Sequence, residues 1–210
     1  MRIELIFNTC VGDAAVANDS NPFRQATYAD RWAGLLASLI EQSAEVWHQI
    51  TVVGQLNEDQ IAELASYELG INYIEVPPLR RARSDALLYR EIATRHSAAD
   101  VFVYSHDDHR PAIGMQDKLM YLCGKDSSIV IPKRVHLGTG ETLNNGKDDD
   151  YMGGHVLAMT RNAWAKVPWT RVNTTYWDVP MTRLWRNADI NIVWDDAILC
   201  FDIEATEDEA

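Results

Sequence analysis

The apolar residues of this chain follow two alternating patterns. Short apolar runs predict β-strands, and apolar residues three or four positions apart predict helices with one buried face. The predicted strands are residues 3–7, 50–53, 71–76, 101–104, 128–131, 156–159, 190–194 and 198–201, and the predicted helices lie within 32–40, 57–65, 84–96, 115–123, 162–166 and 181–188. Because strands alternate with helices, we expect an α/β fold, Rossmann-like, with a mostly parallel sheet and helices on both faces.

Polar positions between these elements indicate where the elements end. Gly54 follows the second strand, Asn57 is a predicted N-cap, and Pro77-Pro78 follows the third strand. Residues 138–150 are polar and glycine-rich, which predicts a mobile loop. The pattern contains no repeat or linker, so we expect a single domain over residues 1–203 and an acidic tail over 204–210.

Charge and cysteine content narrow the class of protein. The formal net charge of -12 argues against broad affinity for nucleic acid, which requires Lys and Arg to neutralise phosphates. No apolar run approaches the roughly 20 residues that a membrane-spanning helix needs. Cys10, Cys123 and Cys200 are too scattered for a disulfide framework. We therefore expect a cytoplasmic protein without a membrane span.

The first candidate site follows the fourth predicted strand. The apolar run 101–104 leads directly into residues 105–109, which read Ser-His-Asp-Asp-His. Open α/β sheets bind ligands at strand ends, and carboxylates with imidazoles suit Mn²⁺ or Mg²⁺. Asp107 and Asp108 repel each other unless a proton or a cation intervenes, and a divalent metal bridging them to a diphosphate supplies that cation. The alternative is a solvated acidic turn.

A second candidate segment surrounds the predicted strand 156–159. Gly153 and Gly154 precede this strand and allow a ligand to approach the backbone closely, although a tight turn is the alternative. His155 is a candidate ligand or sugar contact, against a purely structural role. Arg161 is a candidate phosphate contact, against a role at the start of a helix.

A third candidate site precedes the last predicted helix. Asp178 is a candidate general base for an acceptor hydroxyl, with an N-cap as the alternative. Trp169, Tyr176 and Trp177 are candidates for a platform that stacks on a sugar or base, with core packing as the alternative.

A fourth candidate is the basic cluster before the helix 84–96. Arg80 and Arg83 combine positive charge with the free N–H groups of a helix start, which favours a diphosphate site. The alternative is a solvated surface. The chain lacks the GxGxxG, GxxxxGK[ST] and GxSxG motifs, which disfavours dinucleotide oxidoreductases, P-loop NTPases and α/β-hydrolases.

Taken in order, these segments resemble the GT-A glycosyltransferases, and the resemblance extends from the first strand to about residue 194. In that family a DxD-type motif closes the fourth strand, and here Ser-His-Asp-Asp at residues 105–108 takes its place, with Ser105 where the first Asp is expected. The resemblance implies Mn²⁺ or Mg²⁺ as cofactor, held by Asp107, Asp108 and His155. It implies donor contacts from Asn8, Arg80, Arg83, Asp107, Gly153, Gly154 and Arg161. It also implies Asp178 as catalytic base and Trp177 and Tyr176 as acceptor contacts.

The function implied is transfer of a sugar from a nucleotide-sugar donor to an acceptor hydroxyl, with inversion if Asp178 is the base. The acceptor is open among a glycan, a small molecule and a hydroxymethylated DNA base. Two alternatives remain. One is a metal-dependent phosphohydrolase or nucleotidyltransferase that uses residues 106–109. The other is a non-catalytic member of the fold that binds a nucleotide.

Overall fold

A computed structural model of the chain describes residues 2–9, 28–76, 82–122, 127–144, 147, 152, 156–172 and 177–202, with the backbone alone at 28–30, 82–85 and 122. The strands are β1 (Ile3–Thr9), β2 (Gln49–Gly54), β3 (Asn72–Glu75), β4 (Val101–His106), β5 (His109–Pro111), β6 (Ser128–His136), β7 (Thr142–Leu143), β8 (Leu157–Thr160) and β9 (Asn191–Asp202). The helices are α1 (Tyr28–Ser43), α2 (Glu58–Ser66), α3 (Ala82–His96), α4 (Met115–Leu119), α5 (Arg161–Lys166) and α6 (Asp178–Asn187). Short 3₁₀ turns cover Met120–Leu122 and Trp169–Arg171.

The described strands form one sheet in the order β3-β2-β1-β4-β8-β6-β9-β5, with β7 beside β6. The half containing β3, β2, β1 and β4 is parallel throughout. Beyond it, β8 runs antiparallel to both β4 and β6, and β5 runs antiparallel to β9. The α/β prediction is confirmed. The first half of the sheet is parallel, β6 and β9 in the second half are also parallel neighbours, and the sheet as a whole is mixed.

Helices cover both faces of the sheet, as predicted. On one face, α1, α2 and α4 contribute Leu35, Leu39, Leu64 and Leu119 to the apolar core. On the other face, α3, α5 and α6 contribute Leu87, Ala163, Met181 and Trp185. β1 contributes side chains to the core on both faces, because alternate side chains of a strand point to opposite faces.

The closing strand differs from the sequence prediction. Residues 190–194 and 198–201 were predicted as two strands, but both belong to β9. The register against β6 shifts between Pro132 and Lys133, whose partners are Asp195 and Leu199. The polar residues at this bulge interrupt the apolar pattern without ending the strand, since a bulge leaves extra residues unpaired.

Local signals at the helix and loop boundaries are partly confirmed. Asn57 caps α2, accepting a hydrogen bond from the Gln60 backbone N–H while the Gln60 side chain accepts from the Asn57 N–H. The predicted loop 138–150 begins as a hairpin, with Thr142 and Leu143 paired to β6. Among the helices that the structure describes, none is long and apolar enough to cross a bilayer.

Candidate active site

The candidate site lies at the carboxyl ends of β1 and β4, which are parallel neighbours. The sheet register pairs Asn8 with His106, so the two residues that end the paired segment stand side by side. Thr9 and Asp107 follow directly, and both are almost fully buried. A strand end of this kind is where open α/β sheets bind ligands.

Asp107 is held by two groups at this strand end. Its Oδ1 forms an ion pair with the guanidinium of Arg31 from α1. Its Oδ2 accepts a hydrogen bond of 2.9 Å from the Thr9 hydroxyl. The Asp107 and Arg31 side chains are only 2% and 8% exposed, so this is a buried ion pair. Removing either partner would leave an uncompensated charge in the interior.

A second cluster of polar side chains consists of Asn8, His106 and Arg90. Asn8 Nδ2 lies 2.6 Å from His106 Nδ1. Arg90, from α3, donates from Nε to Asn8 Oδ1 at 3.2 Å, and its Nη2 lies 3.1 Å from His106 Nε2. The three residues therefore hold the ends of β1 and β4 to α3.

Aromatic rings enclose Arg90. Its guanidinium carbon lies 5.5 Å from the ring centroid of Tyr104 and 5.1 Å from the centroids of both Trp169 and Trp177. Burial lowers the pKa of Arg90 to about 10, while Tyr104 and Asp178 act to raise it. Arg90 thus stays cationic at neutral pH, stabilised by cation–π contacts that gain strength where water is excluded.

Asp178 stands at the edge of this group as the first residue of α6. Its charge interacts electrostatically with Arg90, and its side chain is half-buried. The N-cap role considered from the sequence belongs to Trp177 instead. One turn into the helix, the Thr182 hydroxyl accepts a hydrogen bond of 2.9 Å from the Met152 backbone N–H. The chain segment that leads to Gly153 is therefore anchored one helical turn from Asp178.

Asp108 belongs to a different cluster. Its Oδ1 lies 2.5 Å from His109 Nδ1, and His109 Nε2 lies 3.3 Å from Asp202 Oδ2. Arg134 completes the chain of charges by donating from Nε to Asp202 at 2.8 Å. Burial lowers the pKa of His109, but Asp108 and Asp202 outweigh it and raise the pKa to about 9. Burial conversely raises the pKa of both carboxyls, and His109 outweighs it, so both lie below their usual range.

The structure does not bring every predicted site residue to this place. Arg161 follows β8 at the opposite end of β4, where it donates to the carbonyls of Ala99 at 2.7 Å and Ser97 at 2.8 Å. Trp177 is buried against Arg90 and Trp169 rather than presented to an acceptor. The predictions for Arg80, Gly153, Gly154, His155 and Tyr176, and for the side chain of Arg83, lie outside the described residues.

Sequence reasoning missed Thr9, Arg31 and Arg90. Thr9 and Arg31 border the segment between β1 and α1, where no motif indicates their role. A weak signal existed for Arg90, because its position in α3 lies between Leu87 and Ala93 on a face that is otherwise apolar. A charged residue at such a position requires a partner, and here the partners come from β1, β4 and α6.

The solved structures that share this fold include the following two. One is GalNAc-T7, crystallised with UDP, GalNAc and Mn²⁺, which superposes with a TM-score of 0.65 at 9% identity over 98% of this chain and 44% of its own. The other is a putative nucleotide-diphospho-sugar transferase from Desulfovibrio desulfuricans G20, with a TM-score of 0.56 at 10% identity over 98% of this chain and 84% of its own. The chain has the GT-A fold. No protein-family model and no curated protein sequence matches it, so the similarity is one of architecture.

Asp107 and Asp108, the two predicted metal ligands that lie among the described residues, have separate partners. Asp107 faces Arg31 and Thr9, and Asp108 faces His109. Over the part of the chain that the structure describes, no group of three His, Cys, Asp or Glu side chains is arranged to hold a metal ion. A hard divalent cation needs several oxygen ligands around one point, and these carboxylates do not fit that requirement.

Proposed function

We propose that this chain transfers a sugar from a nucleotide-sugar donor to an acceptor hydroxyl. The observation that carries the proposal is the position of Asp178 beside Arg90, at the end of β1 and β4 in a GT-A fold. GalNAc-T7 binds UDP and GalNAc within the same architecture. The chain spans less than half the length of GalNAc-T7, so the proposal concerns the nucleotide-sugar chemistry alone.

Asp178 has the role of general base in this proposal. It takes the proton of the acceptor hydroxyl as the acceptor oxygen bonds to the anomeric carbon of the sugar. The bond from that carbon to the diphosphate breaks, and the nucleoside diphosphate leaves with the electron pair. Asp178 lies at a helix N-terminus beside the positive charge of Arg90, and both surroundings stabilise a carboxylate, the form that a base needs. A single displacement of this kind inverts the anomeric configuration.

The cluster of Asn8, His106 and Arg90 beside Asp178 is the proposed binding place of the nucleotide-sugar donor. Asn8 and His106 end adjacent strands, and Arg90 holds both in place through hydrogen bonds. We propose that Asn8 contacts the nucleoside, as the family resemblance implies. Preorganised polar groups at the reacting centre lower the cost of charge that develops on the leaving group. Arg80, Arg83, Gly153 and Gly154 remain predicted donor contacts.

A metal-dependent phosphohydrolase or nucleotidyltransferase is less well supported. That reading requires residues 106–109 to converge on a single ion. In the structure His106 faces Asn8 and Arg90, while Asp108 and His109 pair with each other. The acceptor of the proposed transfer is a glycan, a small molecule or a hydroxymethylated DNA base, and the chain's net charge of -12 disfavours DNA.

The test of the base is Asp178→Asn. The amide cannot accept the hydroxyl proton, so we expect transfer to fall by about 10²- to 10⁴-fold while donor affinity is kept. Sugar transfer and donor binding are measured separately, the second by calorimetry. Asp117→Asn is the matched control, because Asp117 also lies in the first turn of a helix but is exposed on α4. Unchanged transfer by Asp178→Asn would remove this residue as the base.

The donor is found by a thermal-shift screen of UDP-, GDP-, CMP- and dTDP-sugars, each with Mn²⁺ and with EDTA. A ligand that binds the native state raises the melting temperature, and the free energy of stabilisation grows with the logarithm of 1 + [L]/Kd. We expect one nucleotide class to respond. A flat response to all of them would refute the proposed function.

A further inference from the structure

The two adjacent carboxylates after β4 already have cationic partners within the chain. Asp107 is paired with Arg31, and both of its oxygens are occupied, one by the guanidinium and one by Thr9. Asp108 is paired with the His109 imidazole at 2.5 Å. Since adjacent carboxylates repel unless a cation intervenes, a metal ion is the usual solution. Here Arg31 of α1 and His109 of β5 take that place instead.

Charge at the strand ends leads to the same conclusion. The described charges next to the ends of β1 and β4 include Arg31, Arg90, Asp107 and Asp178. The two guanidiniums balance these two carboxylates, and Asp108 beside them is paired with the His109 imidazole. A divalent cation is drawn to a site with an excess of carboxylate oxygens. This group of charges has no such excess, so it does not favour a metal ion.

The position of the Arg31–Asp107 pair makes exchange for a metal unfavourable. Both side chains are more than nine-tenths buried. For Asp107 to ligate a metal, it would have to break its buried ion pair with Arg31. It would also have to give up the hydrogen bond from Thr9.

We propose that Asp107 is the anchor of Arg31 rather than a metal ligand, and that this chain binds a nucleoside diphosphate without a divalent cation. The inference rests on the proposed function, since it concerns the same donor site. It sets this chain apart from GalNAc-T7, which was crystallised with Mn²⁺. In this chain the positive charge is built into α1 and α3 through Arg31 and Arg90.

The deciding experiment is calorimetric titration of the intact chain with UDP, then GDP and dTDP, in EDTA and in excess Mn²⁺. We expect the dissociation constant of the diphosphate that binds to differ by less than about threefold between the two conditions. Weakening of more than about tenfold in EDTA would overturn the inference and leave the proposed function standing. If no diphosphate binds in either condition, the proposed function fails and this inference fails with it.

Asp107→Asn provides a second readout. The amide keeps a hydrogen-bond acceptor for Thr9 but loses the charge that a metal ligand needs. We expect this variant, like the wild type, to bind the diphosphate equally well in EDTA and in Mn²⁺, because neither protein uses a metal, although loss of the Arg31 anchor changes the affinity itself. Asp100→Asn is the matched control, since Asp100 also pairs with an arginine, Arg2, but lies exposed at the opposite end of β4. An affinity that Mn²⁺ strengthens in the wild type and in Asp100→Asn but no longer strengthens in a folded Asp107→Asn protein would contradict the inference.

A direct Mn²⁺ titration covers the case in which Asp107→Asn does not fold. Electron paramagnetic resonance counts free Mn²⁺ as the wild-type chain is added in the presence of the diphosphate. We expect only weak binding to the acidic surface, and adding the diphosphate should create no further protein-bound site. A tight site of one Mn²⁺ per chain that appears with the diphosphate would overturn the inference without any variant.

Discussion

Asp107 and Asp108 are neighbours in sequence, but their side chains have different partners. One pairs with Arg31 beside β1, and the other joins His109 and Asp202. Asp107 is compensated by Arg31, which is distant in sequence, and Asp108 by its neighbour His109, because an unpaired charge in the interior is too costly to keep. At the residue scale, the ion-pair partner of each carboxylate therefore determines what that carboxylate can do in the site.

Arg90 is the residue whose loss should disturb the candidate site most. Its guanidinium binds Asn8 and His106 and interacts with Asp178, so it positions groups from three elements. A lysine keeps the charge but lacks the planar fork that makes both hydrogen bonds. We expect Arg90→Lys to lower kcat by about a hundredfold, because small displacements of reacting groups cost that much.

The control for Arg90→Lys is Arg95→Lys on the same helix. Arg95 is exposed and pairs with Glu91 at 2.7 Å. Steady-state kinetics of both variants should show kcat reduced in Arg90→Lys alone, with its far-ultraviolet circular dichroism unchanged. Full activity of a folded Arg90→Lys protein would show that Arg90 stabilises the core and does not position the residues of the candidate site.

At the element scale, three helices deliver charge to the ends of two strands. Arg31 comes from α1, Arg90 from α3 and Asp178 from α6, while Asn8 and His106 come from β1 and β4. The parallel pairing of β1 and β4 sets their ends level, which is why residues 98 positions apart meet. Helix packing on both faces of the sheet then brings the cations to that edge.

The last residue of β2, Gly54, must be a glycine for the carboxyl end of β1 to take its place in the candidate site. Gly54 has a φ of +135°, and a Cβ at this position would lie 1.9 Å from the Thr9 carbonyl oxygen. That oxygen accepts a hydrogen bond from the Gln55 N–H, and the Thr9 hydroxyl holds Asp107. We expect Gly54→Ala to destabilise the fold by at least about 3 kcal/mol, since backbone strain adds to a clash with the main chain.

Gly70→Ala is the matched comparison for Gly54→Ala. Gly70 also has a positive φ, +66°, but a Cβ there would meet no atom within 4 Å. Its cost should be limited to the left-handed backbone, about 1 kcal/mol. Urea unfolding of both variants measures the difference. Equal destabilisation of the two variants would mean that the close approach of Gly54 to the Thr9 carbonyl adds nothing to the cost of the substitution.

At the scale of the whole molecule, the buried chain of charges from Asp108 to Arg134 connects distant parts of the sheet. It joins the turn after β4 to β9 through His109 and Asp202, and β9 to β6 through Arg134. β5 and β9 are also paired in the sheet, His109 opposite Asp202. The cluster therefore ties the candidate site's strand to the far half of the fold.

This cluster should make stability depend on pH. The pKa of His109 is raised to about 9, so its stabilising effect is complete below its ordinary value of 6.5 and is lost as the pH rises through 9. The pKa values of Asp108 and Asp202 are lowered, so their effect is present above their ordinary value of 3.8 and is lost in acid. We expect the free energy of unfolding to fall by a few kcal/mol, roughly, between pH 6.5 and 9.

His109→Gln tests the origin of the alkaline loss. The variant should be less stable near pH 6 and should lose much less stability on going to pH 9, as followed by urea unfolding at each pH. His48→Gln, at an exposed position before β2, is the control and should keep the wild-type profile. An alkaline loss that persists undiminished in His109→Gln would assign it to another group.

The sequence by itself determined the order of strands and helices, the Asn57 cap and the position of residues 105–109 at a strand end. These depend on local periodicity and on neighbours a few positions away, so the chain carries them directly. The tertiary structure alone decided the partners of the charged residues. The pattern predicted Asp107 as a metal ligand, whereas packing of α1 on the sheet places Arg31 against it. It likewise gave no indication that Arg90 would meet Asn8, 82 positions away. Such contacts depend on helix packing and strand register, which act between segments far apart in the chain and leave no periodic trace in the sequence.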